Sequence, residues 1–178
     1  HAGSRSGKMV FEVTDASYSY GEKAIVKHLN LNLLRGDKLA LIGPNGSGKS
    51  TLIKLLLGEL APQSGNVRQG VNLEVAYFDQ HRHGLELEKS VIDAVGDGKR
   101  DLMVNGHPRH VISYLQDYLF TPERVNAPVK SLSGGEKNRL MLAKLMLKPS
   151  NLLVLDEPTN DLDVETLEML ETLLNEYE

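Results

Sequence analysis

Residues 43–51 are the stretch whose residue types and spacing point most clearly to chemistry. They match a phosphate-loop pattern, in which a glycine and four further residues precede Gly-Lys and a hydroxyl residue. The predicted phosphate-binding loop consists of Gly43, Pro44, Asn45, Gly46, Ser47, Gly48, Lys49, Ser50 and Thr51. In such a loop the backbone N–H groups surround an anion and the lysine brings positive charge to the β- and γ-phosphates. The first hydroxyl after the lysine, here on Ser50, is a ligand for Mg²⁺.

The segments on either side of this loop give the pattern its physical meaning. The apolar run Lys38–Ile42 predicts a buried strand, and Leu52–Leu57 predicts a helix that stops near Gly58. A phosphate held at the start of that helix would meet its unpaired amides and the positive end of its dipole. A glycine-rich turn that matches by chance is the alternative, and the strand–loop–helix context disfavours it.

Two adjacent acids follow a second apolar run. Asn151–Leu155 predicts a buried strand that ends in Asp156 and Glu157. Ligands bind at the carboxyl ends of strands in open α/β sheets, so the two acids are candidates for the same site. Asp156 can hold Mg²⁺ directly or through water, and Glu157 can polarise an attacking water. The alternative is a strand that merely ends in a polar turn.

Ser133, Gly134, Gly135 and Glu136 allow two interpretations. Serine at a helix N-cap with glutamate three residues later forms a capping box, which needs no ligand. Two glycines in a first helical turn, however, weaken the helix by about 1 kcal/mol each relative to alanine. Amides without a neighbouring Cβ suit a phosphate, so we predict an anion site in addition to the cap.

The elements that must position these residues indicate an α/β fold. Short β-type runs at 10–14, 17–20, 24–26 and 29–33 predict an antiparallel subdomain, and 65–68 and 73–78 predict two further strands. Residues from about 86 to 147 predict a helical subdomain, with short helices at 89–95 and 109–120 and a long helix that Pro149 ends. A last helix begins near Val164, with Asp163 as its N-cap. Strands that alternate with helices predict a mostly parallel core sheet with helices on both faces.

Composition sets broad limits on the class of protein. With 178 residues and 40% hydrophobic content, we expect linker residues at 1–8 and one domain at 9–178. No signal peptide and no apolar run of membrane-spanning length is apparent, and the absence of cysteine suits a reducing cytoplasm. The net charge of −4 gives no global basic field. The basic stretch 99–110 is interpreted as a solvated surface. The histidines at 81, 83, 107 and 110 are candidate metal ligands, but we interpret them as surface residues because no companion ligands cluster with them.

The segment Leu132–Glu136, followed by Asp156–Asp163, resembles the signature and the Walker B/D-loop pair of ATP-binding cassette (ABC) ATPases. Within that family the chain is similar to the ABC-F branch, whose members carry two cassettes and no transmembrane domain. Transporter cassettes usually have glutamine where this chain has Glu136. They also have Ser-Ala-Leu-Asp where this chain has Asn-Asp-Leu-Asp at 160–163. The chain departs from many ABC-F members at Asp161, where those members carry histidine.

This resemblance implies roles for further residues. Gln80 resembles the Q-loop glutamine that contacts Mg²⁺, and Tyr20 resembles the aromatic residue that stacks on adenine; a half-buried strand tyrosine is the alternative for Tyr20. Ser133, Gly134 and Gly135 resemble residues that reach the γ-phosphate of ATP held by another cassette, and Asp163 resembles the D-loop aspartate at that interface. The switch histidine, expected roughly 30 residues after Glu157, would fall beyond Glu178.

The implied function is Mg²⁺-dependent ATP binding and hydrolysis, in which Lys49, Gln80 and Glu157 serve catalysis and Ser50, Gln80 and Asp156 hold the metal. Two cassettes would form a head-to-tail sandwich that opens and closes on a ribosome or on branched DNA. Three alternatives are the ATPase subunit of a transporter, a ribosome- or nucleic-acid-binding module that uses ATP only as a switch, and a folded but inactive fragment.

Overall fold

The computed structural model describes residues 9–34, 37–44, 48–69, 73–78, 84–104, 106–148, 152–157 and 162–177, with only the backbone for 42–44, 156–157 and 174–177. The chain divides into two compact units, residues 1–76 with 150–158 and residues 77–149 with 159–178. The predicted boundaries, a domain at 9–178 with a helical subdomain at about 86–147, stay a prediction.

An antiparallel sheet forms the first part of the first unit. Strands β1 (Met9–Tyr20), β2 (Lys23–Leu34) and β4 (Ser64–Gln69) lie in the order β2-β1-β4. The four short runs predicted from the sequence are two long strands, because bulges carry the pairing through the apparent breaks. Asp15 (φ 49°) and His28 (φ 47°) adopt left-handed backbone conformations in these two strands, and the side chains of the pair lie 2.7 Å apart at their nearest atoms.

A second sheet contains the two strands that end at the predicted nucleotide site. Strands β3 (Leu39–Pro44), β8 (Leu152–Glu157) and β5 (Val75–Tyr77) lie in the order β3-β8-β5. β3 and β8 run parallel, as the apolar runs predicted. Helix α1 (Lys49–Leu57) follows β3, and apolar side chains from the sheets and from α1 share one core. The buried members of this core are Val10, Phe11, Val13, Ala16, Leu33, Ile53, Leu56, Leu152 and Val154.

The second unit is not purely helical, which corrects the predicted helical insert. It contains α2 (Val91–Gly96), β6 (Asp101–Val104), β7 (His107–His110), α3 (Val111–Gln116), a 3₁₀ turn (Val129–Ser131), α4 (Gly134–Leu145) and α5 (Val164–Tyr177). β6 and β7 form an antiparallel hairpin. The helix predicted over 109–120 was therefore wrong at both ends. Asn-Gly at 105–106 between two short runs is a hairpin signal, and Leu119 (φ 69°) turns the chain after α3.

Aromatic side chains make the core of the second unit. Tyr114 and Tyr118 are fully buried, with ring centroids 5.1 Å apart. The Tyr114 hydroxyl donates a hydrogen bond of 2.7 Å to the carbonyl oxygen of Ala143 in α4. Leu140 and Ala143 are buried on the stripe predicted for this helix. Leu147, predicted for the same stripe, lies beyond the helix, which ends at Leu145 before reaching Pro149. This buried hydrogen bond joins α3 to α4.

Helix α5 begins as predicted. Asp163 accepts a 2.9 Å hydrogen bond from the Thr166 N–H, which is the N-cap arrangement, and Leu170 is buried. The side chains of Leu174 and Tyr177, predicted for the same face, lie outside the described residues. In the part of the chain that the structure describes, no helix has the length and apolar character to cross a bilayer.

Candidate nucleotide-binding site

The start of α1 is built around one glycine. Gly48 is the N-cap of this helix, with φ 99° in the left-handed region. A Cβ at this position would lie 2.6 Å from Cγ2 of Ile25, so both backbone conformation and space require glycine. The first turn of α1 contains no acidic residue. Its amides and its dipole therefore present positive potential that no acid of that turn offsets.

An open cavity lies beside this helix start. It has a volume of about 270 Å³ and is lined by Tyr20, Lys23, Ile25, Gly48, Lys49, Ser50 and Thr51. Both charged lining residues, Lys23 and Lys49, are cations, and Ser50 is exposed. A cavity with two lysines, hydroxyls and a helix N-terminus favours a polyanion.

The parallel pairing of β3 with β8 brings the predicted loop and the predicted acids to one edge. In its register Gly43 pairs with Asp156 and Pro44 pairs with Glu157. The first two residues of the loop therefore neighbour the two acids on the adjacent strand. Asn45, Gly46, Ser47 and Gln80, also predicted for this site, lie outside the described residues.

Tyr20 stands at the other side of the cavity, at the end of β1. Tyr20 is 51% exposed, which is compatible both with stacking on adenine and with the alternative of a half-buried strand tyrosine. The ring packs edge-on against Tyr18, with centroids 5.2 Å apart and an interplanar angle of 78°. The Tyr18 contact holds the ring in place, and exposed ring surface remains for a flat ligand.

The start of α4 in the second unit has the predicted capping box. Ser133 Oγ accepts from the Glu136 N–H at 3.1 Å, and Glu136 Oε1 accepts from the Ser133 N–H at 3.0 Å. Gly134 is exposed and Gly135 is half-buried. The cap interpretation of these four residues is confirmed, and the anion-site interpretation stays a prediction.

Arg124 contributes to this helix start in a way that sequence reasoning missed. Its guanidinium donates to both carboxylate oxygens of Glu136, through Nε at 3.2 Å and Nη2 at 3.1 Å. Partial burial opposes ionisation of Glu136, but the hydrogen bonds from Arg124 and Ser133 outweigh it and lower the pKa of the carboxyl group. Twelve residues separate the partners, and neither helical periodicity nor a local motif links them.

Gly135 also has a packing reason that the sequence did not reveal. A Cβ there would lie 2.6 Å from Oδ2 of Asp163. Arg139, which is buried, donates from Nη1 to both oxygens of Asp163 at 3.3 Å and to Thr166 Oγ1 at 3.1 Å. The hydrogen bonds from Thr166, together with Arg139, lower the pKa of Asp163 despite its partial burial. The signature-like helix α4 and the start of α5 are therefore held together by Asp163.

The remaining candidates have local roles. Arg109, in the basic stretch, pairs with Asp117 at 2.5 Å and lies over the ring of Tyr114. His110 Nδ1 accepts from the Ile112 N–H and caps α3. Among the described residues, no group of three or more histidine and acidic side chains is placed to bind a metal. The histidines at 81 and 83 lie outside those residues.

Comparison with known proteins identifies the class. The family model for the ABC transporter domain matches residues 26–160, and the chain belongs to this family. Its fold is therefore that of the ABC cassette among P-loop nucleotide-binding proteins. The fold is also similar to that of cbiO1 from Clostridium perfringens, part of the ABC transporter complex cbiONQ, with a TM-score of 0.54 and 25% identity. That match covers 96% of this chain and 74% of the cbiO1 chain.

Curated relatives narrow the class to the predicted ABC-F branch. The chain is 62% identical to the ATP-binding protein Uup of Haemophilus influenzae and 61% identical to Uup of Escherichia coli K12, in each case over 98% of this chain. It is 39% identical to the energy-dependent translational throttle protein EttA of H. influenzae, also over 98% of this chain. The chain spans 27%, 28% and 32% of the length of these relatives.

The pair formed by Arg124 and Glu136 generates a prediction about stability and pH. Glu136→Gln keeps an acceptor for the Ser133 N–H but removes the charge that faces Arg124. Because the folded-state pKa of Glu136 is lowered, its contribution to the free energy of unfolding is complete above its ordinary value of 4.5 and is lost as the pH falls. The variant should be less stable by about 0.5–1 kcal/mol at pH 7, and by less near pH 3.5.

Denaturant unfolding at both pH values checks this expectation. Glu123→Gln, which removes an exposed acid next to Arg124, is the matched control and should behave alike at both pH values. An equal loss of stability at both pH values in Glu136→Gln would contradict an ionic contribution from the pair.

Proposed function

We propose that this chain is one cassette of a twin-cassette ABC-F protein and that it binds and hydrolyses ATP. The observation that carries the proposal is the register between β3 and β8, which pairs Gly43 with Asp156 and Pro44 with Glu157. A phosphate bound at the loop would lie within reach of the two carboxylates at the end of the neighbouring strand, β8. The sequence predicts that the phosphate-binding loop leads from the end of β3 to the start of α1. The two acids and the cationic cavity would then belong to one site.

The binding step follows from the chemistry of the cavity. The loop amides from Gly43 to Gly48 and the positive end of α1 would hold the phosphates, and Lys49 would neutralise charge on the β- and γ-phosphates. Tyr20 would stack on adenine, since its ring is exposed at the cavity wall. Stacking on an aromatic face and capture of the phosphates are separate contributions to affinity.

The residues present suit Mg²⁺. Ser50 offers an exposed hydroxyl at the cavity, and Asp156 ends the strand beside Gly43, so both donors are oxygen atoms of the kind this cation prefers. Gln80 is the third proposed ligand. When bound, the ion would neutralise charge that develops on the phosphate oxygens.

Hydrolysis requires an oriented water molecule. We assign this role to Glu157, one residue beyond the metal-binding Asp156. A water held by its carboxylate would attack the γ-phosphorus in line with the bridging oxygen; the bond to that oxygen breaks, and ADP and phosphate are released. Lys49 would stabilise negative charge on the leaving side.

A second cassette completes the proposed site. The start of α4, with Ser133, Gly134 and Gly135, would face the γ-phosphate of ATP held by the other cassette, and Asp163 would lie at the same interface. The capping box and the pair with Arg124 support this role because they fix the direction of the helix start. Loss of the γ-phosphate removes the charge that bridges the cassettes, so they separate.

The opening and closing of the pair would act on a ribosome or on nucleic acid. The 39% identity to a protein named a translational throttle favours the ribosome. The alternative, a transporter's ATPase subunit, is supported by the similarity to cbiO1, but at 25% identity against 62% for Uup. ATP hydrolysis titrated with ribosomes and with DNA junctions separates the two macromolecular partners. The predicted cytoplasmic localisation stays a prediction.

Lys49→Ala tests the nucleotide site. Removal of the charge that meets the β- and γ-phosphates should lower ATP turnover by at least about 100-fold. Phosphate release by the full protein is the measurement, and Lys54→Ala, an exposed lysine on the same helix, is the control expected to retain turnover. Turnover of the Lys49→Ala variant at the wild-type rate would refute the site.

Glu157→Gln tests the hydrolytic step separately from binding. Glutamine preserves the volume but orients water poorly, so the full protein should still bind ATP, lose at least about 100-fold in turnover and accumulate with its cassettes closed. Glu165→Gln, in the first turn of α5, is the control. Light scattering and cross-linking report the closed form. A variant that hydrolyses ATP rapidly and never closes would contradict the mechanism.

A further inference from the structure

The strand that carries Tyr20 extends beyond its backbone partner in β4. The register between β1 and β4 reaches Ser17, which pairs with Ser64, the first residue of β4. One more backbone contact follows, from the Gln63 N–H to the Ser17 carbonyl oxygen at 2.9 Å. Tyr20 lies three residues further along β1, at its last position.

The side chain of Gln63 takes the place of the missing strand residue. Its Oε1 accepts from the Ser19 N–H at 3.0 Å, and its Nε2 donates to the Ser19 carbonyl oxygen at 3.0 Å. One N–H and one carbonyl of a single residue are thus paired with one amide group, which is the exchange found in an antiparallel hydrogen-bonded pair. Gln63 therefore continues the ladder to the residue next to Tyr20.

The opposite edge of β1 is bound to β2. Ser19 pairs with Ala24 and Tyr20 with Lys23, but the register shifts between Tyr18 and Ser19. A bulge at this point lets the strand end twist unless something holds its other edge. Gln63 supplies that second attachment, and the edge-on contact with Tyr18 then sets the Tyr20 ring.

We propose that Gln63 is a positioning residue for the base of the nucleotide: it fixes the end of β1 so that Tyr20 presents its ring to adenine. The proposal rests on the role of Tyr20 in the proposed function. Gln63 does not line the cavity around Lys49, so its contribution reaches the base and not the phosphates.

The identity of the side chain matters for this role. Glutamine has a donor and an acceptor at the end of a chain of suitable length. Glutamate at this position would keep an acceptor for the Ser19 N–H but would set a negative oxygen against the Ser19 carbonyl. Leucine of similar size would remove both bonds. Gln63→Glu and Gln63→Leu thus both disrupt the paired hydrogen bonds to Ser19, the first by charge repulsion and the second by loss of both polar atoms.

The experiment compares ATP with inorganic tripolyphosphate, which has the phosphates but no base. Binding to the full protein is measured by calorimetry for the wild type and for Gln63→Leu, Gln63→Glu and Gln116→Leu. Gln116→Leu is the control, an exposed glutamine at the end of α3. We expect both substitutions at Gln63 to raise the Kd for ATP about fivefold and to leave tripolyphosphate binding unchanged.

A double-mutant comparison shows whether the effect passes through Tyr20. In a Tyr20→Ala background, Gln63→Leu should change ATP affinity by less than about twofold, because the ring that it positions is gone. An equal loss of affinity for ATP and tripolyphosphate, an undiminished effect in the Tyr20→Ala background, or no effect at all would each overturn the proposal. Thermal unfolding identifies a variant that fails to fold, in which case the other Gln63 substitution decides.

Failure of the proposed function would look different. If Lys49→Ala left the binding of both ATP and tripolyphosphate intact, the phosphate site itself would be refuted, whatever the Gln63 variants did. Two results together support both the proposed function and the role of Gln63. Lys49→Ala must weaken the binding of ATP and of tripolyphosphate, and the Gln63 substitutions must weaken the binding of ATP alone.

Discussion

The parallel pairing of β3 with β8 is the constraint on which the rest of the site depends. Strand register is quantised, and a shift by one residue would move every side chain to the opposite face. The apolar residues 152–155 of β8 are all buried, so a shift of β8 toward β3's amino end would carry the acidic side chain of Asp156 into the buried position of Leu155. The core that fixes the register therefore also fixes which residues meet where the strands end, namely Gly43 with Asp156 and Pro44 with Glu157.

A second constraint holds the start of α4. Its direction is set by three contacts of one carboxylate, since Glu136 accepts from Ser133 and from two nitrogens of Arg124. The Asp163 carboxylate occupies the space beside Gly135, so a Cβ there would push that carboxylate out of its hydrogen bonds with Arg139 and Thr166. The glycine that the sequence suggests for anion binding thus also leaves room for the Asp163 carboxylate. The two demands are compatible because both need a bare backbone.

Local sequence signals predicted the elements that form the chemistry. Apolar runs that end in a glycine loop or in two acids gave the parallel strands, and Ser133 with Glu136 gave a capping box, because each signal lies within a few residues. Contacts between distant residues were not accessible. Arg124 with Glu136, and Gln63 with Ser19, depend on how the chain folds back, and no spacing rule encodes them.

The errors have local causes. The hairpin of β6 and β7, which lies inside the predicted helical subdomain, was missed because its strands are only four residues long and lack clear alternation. The length of β1 and β2 was underestimated because bulges with left-handed residues, at Asp15 and His28, interrupt the two-residue period without ending the strands. Periodicity alone does not distinguish a bulge from a strand end.

The most direct measurement is a crystal structure with a non-hydrolysable ATP analogue and Mg²⁺. We expect the β- and γ-phosphates to lie against the amides at the start of α1, beside Lys49, with the γ-phosphate facing the end of β8. Density for the analogue elsewhere, or a triphosphate directed away from Asp156 and Glu157, would contradict this expectation.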